Sequence, residues 1–404
     1  MGRFRRVLIP LLLLLAGTTL VFVYLSQVRP GSTSLDGAPA TALSPASATA
    51  DSPLLSTATP SSPTIPSPTA PAATGIPKPA LPLPPPTRAL TDPAALPLDY
   101  LDRFGITGRT VDAARAQAAG LVFGSYANWN VRPAPGPPED VTFWQMIRLS
   151  EAGVVTPQEQ IEAALAANPG AIWLIGNEPD VKIQDNVTPA RYAELYHELY
   201  TYIKEQDPSA LVAIGGVSQP TLLRRTYLDR VLDSYQETYG HPLPADIWNV
   251  HAFILREEQD SWGVGIPPGL GDGLAMRYEI ADHNNLSIFR QNIIEFRAWM
   301  AERGYGDRPL VVSEYGFLMP HEYGFPPQAI TEFMWSTFDF FLEARNDTGY
   351  AADDGRLVQW WFWFYLGDES GEYTSTHLYD RETGGLTSLG EAFSEYVTTH
   401  APPE

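Results

Sequence analysis

The sequence predicts an α/β chain built on a (β/α)8 TIM barrel, and three observations carry that expectation. Beyond Pro97, apolar strand-like runs alternate with amphipathic stretches, the pattern of βα units laid on a parallel sheet. The region that shows this pattern is about 300 residues long, the size of one barrel with extra loops. Two of the apolar runs end in a glutamate followed by turn residues, Gly176-Asn177-Glu178-Pro179 and Ser313-Glu314-Tyr315-Gly316. Carboxylates at strand ends are what the C-terminal mouth of such a barrel presents.

In chain order, strands are expected at Leu121–Trp129, Trp144–Leu149, Ala171–Gly176, Ala210–Val217, Ile247–Phe253, Leu310–Ser313 and Val358–Tyr365. That leaves one strand to find before Ala171. A strand near Gly105–Arg109 and a reduced barrel each account for it. Helices are expected over Pro157–Ala167, Pro189–Glu205, Thr221–Thr238, Ser287–Arg303 and Gln328–Arg345.

The N-terminal quarter is of another kind. After a basic tip over residues 1–6, an uncharged apolar run from Val7 to Leu25 has nearly the length, at about 1.5 Å per residue, to cross a hydrocarbon core of roughly 30 Å. Residues 7–26 therefore read as a transmembrane signal-anchor, with Arg3, Arg5 and Arg6 on the cytoplasmic side and the rest of the chain extracytoplasmic. The rival reading is a cleaved signal peptide, which would release a secreted protein; Ala38-Pro39-Ala40 has the form of a cleavage site but lies far beyond the apolar run. Residues 27–95 are mostly Pro, Ser, Thr and Ala, with little to bury, and are expected to be a disordered linker. The barrel domain then spans 96–404.

Charge and cysteine usage exclude several functions. Up to residue 95, six basic side chains stand against three acidic ones, so of the total −21 the remainder carries −24. An acidic domain of this kind repels nucleic-acid backbones and anionic surfaces, so nucleic acid is not an expected partner, and the membrane is expected to be met only through the N-terminal helix. With no cysteine, there is no disulfide, no thiolate nucleophile and no Cys-based metal site. A monomer is expected.

Hydrolysis of a glycosidic bond with retention needs two carboxyl groups about 5–5.5 Å apart, one to protonate the leaving oxygen and one to attack the anomeric carbon. Glu178 and Glu314 are the strand-end candidates. With these residues in view, the segment from about Tyr126 to Tyr365 resembles clan A of the glycoside hydrolases, the retaining barrels that include cellulases, mannanases, xylanases and β-glucanases. In that clan an Asn-Glu-Pro at the end of the fourth strand carries the acid/base, matched by Asn177-Glu178-Pro179. The nucleophile ends the seventh strand, matched by Glu314. Counting from Glu178, the runs at Ala210, Ile247 and Leu310 become the fifth, sixth and seventh, as the clan requires. The Asn-Glu-Pro-Asp extension at Asp180 and the Ser-Glu-Tyr-Gly ending are similar to the small β-1,3-glucanase-like branch.

The resemblance implies further roles. Asn177 is expected to bond the sugar 2-hydroxyl, His251 to contact the nucleophile from the sixth strand, and Arg148 to hold Glu314 ionised by its charge, while Glu178 needs a raised pKa. A Trp of the eighth strand is expected to floor the sugar site; of Trp360, Trp361 and Trp363, the candidates are Trp361 and Trp363. Tyr126, Trp129 and Tyr315 are further candidate platforms, since aromatic rings suit the apolar face of a pyranose. His251 and His283 lack tight ligand spacing, so neither a metal nor another cofactor is expected. The reading is a retaining β-glycoside hydrolase of a polysaccharide or oligosaccharide. The alternatives are a non-catalytic carbohydrate-binding protein on a stalk, or a transglycosylase using the same site.

Overall fold

The computed structural model describes residues 98–403, apart from 135, 137, 139 and 371. The expected signal-anchor and the whole of the expected linker lie outside these residues. Among the described residues no helix is long and apolar enough to cross a membrane.

Eight parallel strands form one sheet: β1 (Phe104–Thr107), β2 (Ser125–Ala127), β3 (Thr142–Ile147), β4 (Ile172–Asn177), β5 (Leu211–Gly216), β6 (Trp248–His251), β7 (Leu310–Gly316) and β8 (Trp360–Phe364). Their spatial order is β5-β4-β3-β2-β1-β8-β7-β6. Parallel bridges Ala213↔Ile247 and Val217↔Val250 join β6 back to β5, so the sheet closes into a barrel. The strand missing from the sequence pattern is β1. Only four residues long and buried throughout, it shows no alternation that marks a strand.

Strand alternation sends side chains to two different cores. Ala127, Trp144, Met146, Ile172, Leu174, Leu211, Ala213, Ile247, Val311, Trp360 and Phe362 fill the barrel interior. Trp144 meets Trp360 edge-on at 5.3 Å and Phe362 at 5.2 Å. Gly105 makes room for this packing, since a Cβ there would lie 2.5 Å from the Phe362 ring. The outward-facing residues, among them Trp173, Val212, Trp248, Val312, Trp361 and Trp363, pack against the helices in a second and larger core.

The helices are α1 (Thr110–Ala118), α2 (Gln158–Ala167), α3 (Pro189–Gln206), α4 (Leu222–Tyr239), α5 (Leu286–Glu302), α6 (Pro327–Glu343) and α7 (Ser388–Thr399). Five match the expected spans to within two residues at either end. The short α1 and the C-terminal α7 went unpredicted. Helix α3 shows how this layer fixes the mouth. Proline at its first turn suits a helix start, and Tyr192, Tyr196 and Tyr200 recur every four residues on its buried face. The Tyr192 hydroxyl donates to Ile175 O at 2.8 Å and accepts from Gly215 N–H at 2.7 Å, tying β4 to β5 just below their ends.

Candidate active site

Strand β4 runs out at Asn177, and the next residue, Glu178, has φ of 44°, a left-handed backbone that costs a non-glycine residue about 1–3 kcal/mol. Hydrogen bonds on both sides hold it there. The Glu178 N–H donates to Gly216 O at 3.0 Å. Asp185 accepts from the N–H groups of Asn177 at 2.7 Å and Leu149 at 3.0 Å, and from Arg148 Nε at 2.7 Å. Asp180 accepts from the Ser218 hydroxyl at 2.8 Å and pairs with the buried Arg224 Nε at 3.1 Å. Sequence reading missed Asp180 and Asp185 as positioning groups, because Ser218 lies 38 residues from the first and Leu149 and Arg148 lie 36 and 37 from the second along the chain.

Glu314 reaches the mouth by a different device. Opposite β6 the pairing runs Val250↔Val312 and then His251↔Glu314; opposite β8 it runs Trp361↔Val312 and then Trp363↔Tyr315. The extra residue is a β-bulge around Ser313, and bulges of this kind re-aim a side chain beside an active site. Tyr315 thereby faces the helices while Glu314 joins the mouth.

His251 ends β6 between the two carboxylates. Its Nδ1 shares a hydrogen bond with Glu178 Oε1 at 3.0 Å and lies 3.7 Å from Glu314 Oε2. The ring fits because residue 216 is glycine; a Cβ there would stand 2.5 Å from His251 Cδ2. One side-chain ligand atom from each of Glu178, His251 and Glu314 lies within 4.8 Å of the other two. On the far side, Trp129 Nε1–H donates to Glu314 Oε1 at 2.6 Å.

The charges of the three groups act on one another across these short distances. Burial opposes a charge on His251, but Glu314 and Glu178 outweigh it and push its pKa up. Burial pushes the Glu314 carboxyl up as well; the His251 charge pulls it down, Glu178 pushes it up, and the Trp129 N–H and Arg148 pull it down.

The donor set of two carboxylates and one imidazole could also hold a divalent cation.

Other predicted site residues divide by the face they occupy. Asn177 is at the site; its Oδ1 is buried without a hydrogen-bond partner and its Nδ2 donates to Gln184 Oε1 at 3.4 Å. Arg148 pairs with Asp185 at 2.7 Å rather than with Glu314 and reaches the latter only through its charge. Trp129 is at the mouth, half-buried, with its ring edge toward Phe364 at 6.1 Å. Tyr126, Tyr315, Trp361 and Trp363 have at most 1% of their surface exposed and belong to the outer core, so they are not sugar platforms. Trp361 stacks on Phe341 at 5.1 Å, and Trp363 donates from Nε1 to Thr376 O at 3.0 Å. The eighth strand reads Trp-Trp-Phe-Trp-Phe, aromatic on both faces, so no polar residue marks which set points inward. It is Phe364, half-buried and ringed by Trp129, Phe253 and Tyr373, that ends the strand at the mouth.

No protein-family model and no curated protein matches the chain. Among solved structures, it is similar to a curdlan-specific exo-β-1,3-glucanase of glycoside hydrolase family 128 from Blastomyces gilchristii, at 19% identity and a TM-score of 0.48 over 72% of this chain and 97% of that one. It is likewise similar to an endo-β-1,3-glucanase of the same family from Pseudomonas viridiflava, at 18% identity and a TM-score of 0.49 over 72% and 96% of the two chains. A third similar structure is an oligosaccharide-binding protein of that family from Cryptococcus neoformans, at 14% identity and a TM-score of 0.48 over 75% and 96%.

Proposed function

We propose that this chain is a retaining β-glycoside hydrolase in which Glu178 is the acid/base and Glu314 the nucleophile. The observation that carries this reading is the close approach of two buried strand-end carboxylates, with an oxygen of each within 4.8 Å of the other. Retaining pairs sit at about 5–5.5 Å, whereas inverting pairs stand about 6.5–9.5 Å apart to admit a water.

In the first step Glu178 gives its proton to the glycosidic oxygen as Glu314 attacks the anomeric carbon; the C–O bond to the leaving group breaks and a glycosyl ester forms on Glu314. In the second, Glu178, now a carboxylate, takes a proton from water as the water oxygen attacks the same carbon and the ester bond breaks. This returns the proton to Glu178 and leaves a sugar of the original configuration. His251 bridges the two acids and balances their charge between steps. Trp129 and Phe364 offer aromatic surface to a pyranose at the mouth. We further infer from the N-terminal sequence that the domain is tethered outside the cell membrane.

The test is turnover by the full-length protein on β-1,3-glucan first, given the Asn-Glu-Pro-Asp and Ser-Glu-Tyr-Gly resemblance, then on other β-glucans, mannan and xylan. Glu178→Ala and Glu314→Ala are expected to lose activity, and EDTA to leave wild-type activity unchanged. Glycan binding without turnover favours the stalked binding protein, transfer to a sugar acceptor favours a transglycosylase, and loss of activity in EDTA makes the cluster a metal site.

A further inference from the structure

The loop after β2 carries a second unusual backbone conformation. Trp129 has φ of 60°, a region that bulky residues rarely enter. Its neighbours pin it there. Asn128 Nδ2 donates to Thr110 Oγ1 at 2.8 Å on α1, Asn130 Nδ2 donates to Asn128 O at 2.8 Å, and Asn130 O accepts from Met146 N–H at 3.1 Å on β3. The loop is thus held on both sides in the one conformation that aims the indole N–H at Glu314 Oε1, 2.6 Å away.

The groups facing Glu314 are Trp129 from the β2–β3 loop, His251 from β6, Glu178 from the end of β4 and Arg148 from the end of β3. Arg148 gives its Nε to Asp185 at 2.7 Å and its Nη2 to Gln184 at 3.2 Å. His251 is closer to Glu178 than to Glu314. The direct donor to the nucleophile carboxylate is therefore the indole, in the place where a guanidinium was expected.

Resting on the glycosidase reading above, we propose that Trp129 is the positioning residue of Glu314: its N–H fixes the carboxylate's orientation and favours its charged form. The same half-buried ring borders the mouth beside Phe364.

Trp129→Phe keeps an aromatic ring and removes the donor, whereas Trp129→His keeps a ring N–H. An N–H bond to a carboxylate stabilises the ionised form, so its loss raises the pH at which Glu314 ionises. On the β-glycan that the wild-type protein cleaves, Trp129→Phe is expected to lower kcat about ten- to hundredfold with KM little changed. The acid limb of its kcat/KM profile is expected to move up by about half a unit or more. Trp129→His should recover part of both, with melting temperatures showing that all three proteins are folded. If Trp129→Phe keeps the wild-type kcat and acid limb, or if the Phe and His variants behave alike, the inference is overturned while the glycosidase reading stands. A wild type that cleaves none of the glycans removes the glycosidase reading itself.

Discussion

Two buried histidines have their pKa values pushed in opposite directions. His251 lies between Glu178 and Glu314, and their charges overcome its burial and push its pKa up. His283 has backbone groups as its polar partners: its Nδ1 pairs with Ile254 O at 3.0 Å and its Nε2 accepts from Leu318 N–H at 2.9 Å, and burial pushes its pKa down to about 4. Burial alone does not decide what a polar residue does; the groups it is turned toward do. Aromatic residues follow the same division. Phe364 on the inner side borders the site, while Trp361, three residues earlier, is locked among Phe104 and Phe341 in the outer core.

The aromatic contrast yields the largest expected effect. Trp361→Ala should cost about 3–5 kcal/mol of unfolding free energy and leave KM unchanged. Phe364→Ala should cost little stability and raise KM about three- to tenfold. Equal stability losses in denaturant titrations of the two variants would erase the distinction between inner and outer faces.

The histidine contrast predicts an acid-sensitive fold. A neutral His283 in the folded state, against an ordinary pKa near 6.5 when unfolded, contributes stability that is fully present above pH 6.5. That contribution is lost as pH falls toward 4, on the order of 3 kcal/mol in all. Unfolding free energies of wild type and His283→Gln should therefore differ most at neutral pH and converge toward pH 4. A gap that stays constant across that range contradicts the neutral, doubly bonded imidazole.

Gly216→Ala sharpens the other half of the comparison, because its Cβ would force the His251 ring to move. Activity is expected to fall about a hundredfold while the protein stays folded. Smaller still, Asp185→Asn should lower kcat about tenfold by loosening Asn177 and its neighbour Glu178. Full activity in either variant would mean that the strand ends tolerate more movement than this geometry allows.

The parts of the site legible in the sequence are those where strand, carboxylate and turn adjoin along the chain. Glu178 before Pro179 and Glu314 before Tyr315-Gly316 needed only a count of strands to be set across one mouth. His251 was implied by the clan A resemblance, which places a His or Tyr at the end of the sixth strand. Strand β1 stayed ambiguous because four buried residues have no period. Trp361 and Trp363 were assigned to the wrong face because aromatic residues occupy both sides of β8. Arg148 was expected to serve Glu314 because its partner Asp185 is brought to it only by the fold. The donor role of Trp129 depends on a left-handed backbone at a residue type that gives no sign of adopting one.

The central claim is that Glu178 and Glu314 share one reaction in the roles assigned to them. Azide rescue of Glu178→Ala and Glu314→Ala on an activated aryl β-glycoside tests it most directly, through the configuration of the glycosyl azide formed. The β-azide from Glu178→Ala and the α-azide from Glu314→Ala are the predicted products. Inverted assignments, or full activity in either variant without azide, would contradict the account.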